Sequence, residues 1–148
     1  MNLKYSVSDK EKEQEDFVTV HHNFDVLTRM NDACAHIIAK DGNKVVGYAL
    51  SMTDDFRDEI SVLRPMFTEI ENVNIQNFIT IGQICVAKTN RKQGVFRGLY
   101  NAMKKSSYPK YDATNSRSLG AHYAVGFEKV CIYHSLDQDW ELISLNTL

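Results

Sequence analysis

The residues best suited to chemistry follow the most apolar run in the chain. Phe78 to Val86 is almost continuously apolar and β-prone, and it leads into the basic stretch Arg91-Lys92-Gln93-Gly94-Val95-Phe96-Arg97. A buried strand, a basic loop and a glycine at a helix start are the parts of a phosphate cradle. The first N–H groups of a helix have no partner inside it and point outward. Together with the helix dipole they favour an anion. Gly94 has no Cβ to hold a phosphate away from the backbone, and Arg91, Lys92 and Arg97 add mobile positive charge. The same residues also read as a solvated basic loop with a helix-opening glycine, and spacing alone leaves both readings open. Two nucleotide motifs are excluded, because no lysine follows a GxxxxG and no GxGxxG occurs.

The elements that must position this segment can be read from periodicity and turn residues. Phe24, Leu27 and Met30 recur at helical spacing and predict a short helix before Ala35. Residues 36–50 place two apolar runs on either side of Asp41-Gly42, which predicts a β-hairpin. From Asp54 to Val73, Ile60, Leu63, Met66, Phe67 and Ile70 suggest two helical pieces or a helix and a loop, with Pro65 interrupting any single helix. Phe78 to Val86 should be a central strand covered on both faces. A helix from about Gly94 to Lys105 has Val95, Leu99 and Met103 on one stripe, and Pro109 bars its continuation. Asn115 is a good N-cap for a second helix, which Gly126 and the hydrophobic Phe127 should stop. Strands around Val130–His134 and Trp140–Leu145, joined by a turn at Asp137-Gln138-Asp139, complete a mixed α/β sandwich.

Length and composition bound the answer further. At 148 residues the chain is expected to form one domain over 1–148, with the charged residues 9–16 in a flexible or helical arm over 1–16. A net charge of -2 argues against nucleic acid or an anionic membrane as the main partner. No apolar stretch reaches the length of a membrane span and the charged N-terminus is unlike a secretory signal, so a cytoplasmic location is expected. Cys34, Cys85 and Cys131 are few and scattered, which fits buried thiols in a reducing compartment and no metal site.

Two stretches carry a resemblance. Arg91-Lys92-Gln93-Gly94-Val95-Phe96 resembles the signature of the Gcn5-related N-acetyltransferase (GNAT) superfamily: Gln or Arg, two variable residues, Gly, one variable residue, then Gly or Ala. Phe96 stands where the last small residue belongs. Asn115, Ser118, Gly126 and Phe127 fit a second pattern of that family, with His122 at its tyrosine position and Tyr123 next to it. The resemblance runs from His36 to Leu145. It implies one mixed β-sheet flanked by helices, with acetyl-CoA as cofactor and donor in an N-acetyltransferase reaction. The acceptor would be an amine on a small molecule or a protein, attacking the thioester directly. Cofactor binding falls to Ile84, Cys85, Val86, Arg91, Lys92, Gln93, Gly94, Val95, Phe96, Arg97 and Asn115.

By the same resemblance a backbone N–H near Val86 would stabilise the thioester oxygen, and a proton donor would protonate the leaving thiolate. His122 and Tyr123 compete for that second role, because adjacent helix residues point about 100° apart; water alone is the third option. The acidic residues Asp54, Asp55, Asp58 and Glu59 read either as an acceptor pocket or as a solvated face. The first strand of the usual fold has no clear counterpart. The fifth, whose splay makes the pantetheine slot, is expected to be reduced to a few residues near Tyr111–Ala113 or to be absent. If it is absent, a non-catalytic acyl-CoA-binding or interaction module is the alternative function. The apolar final hairpin offers a surface for a homodimer.

Overall fold

A computed structural model describes residues 23–104, 110–114 and 116–146. The first helix, α1 (Phe24–Ala33), is capped by Asn23, whose side chain accepts from the Val26 N–H at 2.8 Å. Met30 is its fully buried anchor, whereas Phe24, expected on the same stripe, is exposed. The hairpin follows as β1 (Ile37–Asp41) and β2 (Lys44–Met52). Asp41 pairs with Lys44, so the two turn residues are Gly42-Asn43, one place later than the Asp41-Gly42 pair the sequence suggests. Positive φ is needed only at the first of them, and Gly42 supplies it.

The excursion after β2 contains two short 3-10 turns, Asp54–Phe56 and Ser61–Leu63, and then α2 (Arg64–Asn72). Pro65 opens this helix instead of interrupting one, because a first-turn residue needs no N–H for the helix ladder. Next come β3 (Ile79–Val86), α3 (Val95–Met103), β4 (Lys110–Thr114), α4 (Ser116–Ala124), β5 (Glu128–Ser135) and β6 (Gln138–Leu145). The hydrogen-bonded strand order is β1-β2-β3-β4-β6-β5. The counterpart of the uncertain fifth strand is therefore present as β4. Its five residues all pair antiparallel with β6, which supplies the ladder that its sequence does not advertise. Against β3 it pairs in parallel at only two positions, Ile79↔Lys110 and Thr80↔Tyr111.

The chain gathers into two compact units. The first comprises the described part of Met1–Ser51 with Gly82–Lys105. Here α3 lies against the hairpin, with Leu99, Tyr100 and Met103 buried. The second comprises Met52–Ile81 and the described part of Ser106–Leu148. Its core joins Met66, Phe67 and Ile70 of α2, Val125 and Phe127 after α4, and Leu142, Ile143 and Leu145 of β6. Arg57 braces the excursion: its guanidinium bonds Glu71, lies 3.0 Å from Asp54 and stacks over the Phe67 ring. The final turn falls at Leu136-Asp137, both at positive φ, one residue earlier than expected. Gln138 and Asp139 belong to β6.

Candidate active site

The basic loop leaves β3 at Val86, and its geometry follows from local hydrogen bonds. Ala87 donates its N–H to Val46 O at 2.8 Å, tying the strand end to β2. Lys88–Asn90 makes one 3-10 turn, and Gln93 Nε2 reaches back to Thr89 O at 3.1 Å. Arg91 turns its Nε toward Val86 O at 3.4 Å, which holds the guanidinium by the end of the strand. Lys92 is at φ 60 and Gly94 at φ 81, both left-handed.

Gly94 is the N-cap of α3. Its carbonyl accepts the first intrahelical bond, from Gly98 N at 2.9 Å, and as a glycine it offers no capping side chain of its own. In an α-helix the first N–H groups, here those of Val95 to Arg97, point out of the N-terminal end. A Cβ built on Gly94 would meet nothing within 4 Å, so the backbone there is open to close approach. Lys92, Gln93, Gly94 and Arg97 are exposed, while Arg91, Val95 and Phe96 are half-buried. The ring of Phe96 packs edge-on against Tyr100 one turn along, with centroids 5.0 Å apart. Its departure from the small residue of the resemblance is therefore taken up within α3 itself.

The upstream residues Ile84, Cys85 and Val86 continue β3. Cys85 and Val86 are buried, whereas the strand middle, residues 82–84, is only half-buried. This corrects the expectation of a strand covered throughout, because the parallel register with β4 ends at Thr80. Gly47 of β2 explains how α3 sits so low on the hairpin: a Cβ at that position would lie 3.0 Å from Val95 Cγ1 and 3.2 Å from Cys85 O. The sequence signal for this contact is a glycine inside an apolar β run, the usual mark of a close backbone approach.

In the second unit, α4 ends in a Schellman motif. Phe127 N–H bonds His122 O at 3.2 Å and Gly126 N–H bonds Tyr123 O at 3.0 Å. The hydrophobic contact that accompanies this cap is made by the His122 and Phe127 rings, 5.3 Å apart and edge-on. His122 is consequently only 2% exposed. Tyr123 is exposed, and its hydroxyl donates to Glu141. That hydrogen bond, followed by burial and the carboxylate charge, pushes the phenol up to about 12. Lys129 Nζ stands 3.4 Å from the other Glu141 oxygen. Glu141 carried no signal in the sequence beyond its place in the final strand. Asn115 lies outside the described residues.

The carboxylates of the excursion are largely answered by their own segment. Asp54 pairs with Arg57, Asp58 lies 3.6 Å from Arg64, and Asp55 accepts from Thr53 Oγ1 at 3.2 Å. This arrangement favours a self-compensated surface over an amine-attracting pocket. Among the described residues no group of His, Cys, Asp and Glu is gathered to hold a metal ion.

No protein-family model matches the chain, and no curated protein matches it either. Solved structures do match. Ard1 from Thermoplasma volcanium superposes with a TM-score of 0.63 at 12% identity, over 95% of this chain and 94% of that one. The chain has the GNAT fold. A GNAT-family acetyltransferase from Bacillus cereus gives 0.57 at 20% identity, covering 84% of this chain and 78% of that one. The ribosomal-protein-S18-alanine N-acetyltransferase from Escherichia coli gives 0.54 at 12%, covering 94% and 89%. At such identities the likeness concerns the GNAT fold alone, with its strands somewhat shortened here. Among the described residues, no helix of this GNAT fold is long and apolar enough to cross a membrane.

Proposed function

We propose that the protein is an acetyl-CoA-dependent N-acetyltransferase, moving an acetyl group to an amine by direct attack on the thioester. The observation that carries this reading is the start of α3: a left-handed Gly94 at the N-cap, which brings no capping side chain and has open space above it. Arg91, Lys92 and Arg97 add positive charge to the same loop. These residues fit a pyrophosphate, whose charge the helix dipole and the N–H groups would both favour. Lys92, Gln93, Gly94, Val95, Phe96 and Arg97 would hold it, with Ile84, Cys85 and Val86 along the arm that follows; Asn115 joins them by resemblance only. Bound there, coenzyme A would supply the activated acyl thioester.

The chain's own residues would then orient the thioester and manage protons. A backbone N–H of β3 near Val86 is assigned to the carbonyl oxygen as it gains charge. Burial keeps His122 from the role of proton donor, and Tyr123 has committed its proton to Glu141. A phenol near 12 is a poor match to a donor that works best near the operating pH. We therefore assign protonation of the departing thiolate to water. A cytoplasmic setting suits three cysteines that form no disulfide.

Those same two observations support a second reading, an acyl-CoA-binding module without turnover. Calorimetric titration with acetyl-CoA, using adenosine diphosphate as control, tests both. Micromolar binding, about -8 kcal/mol, is expected, and amine-dependent release of free thiol then separates enzyme from module. A folded sample that does not bind acetyl-CoA would remove both readings.

A further inference from the structure

The three cations of the cradle loop are not equivalent. Lys92 and Arg97 are exposed, whereas Arg91 is half-buried. The Arg91 side chain runs back along the chain, and its Nε donates to Val86 O at 3.4 Å across the turn Lys88–Asn90. Its charge acts on the Cys85 thiol, which also bonds the hydroxyl of Tyr48. Tyr48 Oη in turn donates to Gln83 Oε1 at 3.1 Å. Gly47 faces Val95 and Leu99 of α3, so strand alternation puts Tyr48, and the Cys85 thiol bonded to it, on the opposite face of the sheet. Arg91 is thus drawn toward the strand end and the face away from α3. No atom beyond the chain neighbours of Gly94 stands within 4 Å of the place a Cβ would take there, so the Arg91 guanidinium does not lie over the cradle. Its bond joins the last residue of β3 to the residue before the left-handed Lys92, where the loop turns toward α3.

Resting on the reading that coenzyme A occupies the cradle, we propose that Arg91 is a positioning residue, which sets the path of the loop through its Nε–H while Lys92 and Arg97 supply the charge that meets the phosphates. What the site needs at position 91 is then a donor at the right reach from the backbone, not a charge. Glutamine carries its amide nitrogen the same number of bonds from Cα as arginine carries Nε, and it is neutral. Lysine keeps the charge, but a methylene stands where Nε was and its ammonium lies one bond further out. The two substitutions therefore pull donor and charge apart.

The test is calorimetric titration of the full chain and its variants with coenzyme A, with urea unfolding to show that each sample is folded. It is run in about 0.15 M salt, where charges further apart than about 8 Å are largely screened. Arg91→Gln should bind within about threefold of the parent, and Arg91→Lys about tenfold more weakly. Between about 0.15 and 1 M salt, both should weaken as steeply as the parent, whereas Lys92→Ala should weaken less steeply, having lost an exposed charge that meets a phosphate. Binding kept by Arg91→Lys and lost by Arg91→Gln would make Arg91 a phosphate-binding charge and overturn the inference. An equal loss in both, no loss in either, or an Arg91→Gln chain that does not fold overturns it as well. Should Arg91→Lys alone fail to fold, the affinity and salt response of Arg91→Gln decide the matter. A folded parent that binds no coenzyme A overturns the cradle reading, and this inference with it; a parent that binds confines any failure to the role of Arg91.

Discussion

The phenol of Tyr123 gives its one proton to a carboxylate oxygen of Glu141, whose other oxygen faces Lys129 at 3.4 Å. A tyrosine so held remains neutral well past its ordinary range, at about 12. The raised value means that the neutral phenol is the form the fold favours. Its contribution is complete below the ordinary phenol range near 10 and is lost as pH rises from there through about 12. Alkaline absorbance titration at 295 nm, taken as parent minus Tyr123→Phe, should show one late tyrosine. Glu141→Gln should bring that tyrosine back toward 10.

The same bond predicts a small kinetic effect. Losing a true general acid lowers turnover by about 10²–10⁴, whereas Tyr123→Phe should lower kcat by less than about tenfold. Steady-state assay with the best amine found by screening decides it. A hundredfold fall in kcat at constant KM would make Tyr123 the proton donor after all.

Gly94→Val should abolish measurable acetyl-CoA binding. The substitution puts a β-branched side chain into the open space above the α3 N–H groups and onto a backbone at φ 81. It should also destabilise the fold by about 1–2 kcal/mol, the usual penalty for a left-handed residue with a Cβ. Calorimetry and urea unfolding separate the two effects. Binding as tight as the parent's would show that the cradle is misassigned.

Gly47→Ala tests the seat of α3. Its new methyl would stand 3.0 Å from Val95 Cγ1 and 3.2 Å from the Cys85 carbonyl, and a strand carbonyl cannot give way as a side chain can. A loss of about 1–3 kcal/mol in urea unfolding is expected. Weaker acetyl-CoA binding should accompany it, since Val95 is the first residue of the helix that frames the loop.

Cys85 should be the slowest thiol to label. It is 4% exposed and burial pushes it up to about 11, so little thiolate exists at neutral pH. Ellman's reagent should titrate Cys85 only when denaturant is added, after Cys34 and Cys131, which are half-buried.

The sequence by itself determined the parts whose cause is local. The apolar run over 78–86, the stripe Val95, Leu99 and Met103, and the stop at Gly126 are short-range features, and strands and helices form where they predict. The loop from Arg91 to Arg97 was legible for the same reason, since a strand end, basic residues and a glycine at a helix start lie within one stretch of chain. Tertiary structure decided what depends on partners distant in sequence. β4 has no apolar pattern of its own and exists because β6 pairs along its whole length. His122 matched a motif position by spacing, yet the Schellman cap folds Phe127 over its ring and buries it. The adjacent Tyr123 meets Glu141 eighteen residues away, and Tyr48 meets Gln83 across thirty-five. Periodicity fixes which face of an element a side chain takes, but only packing decides what that face meets.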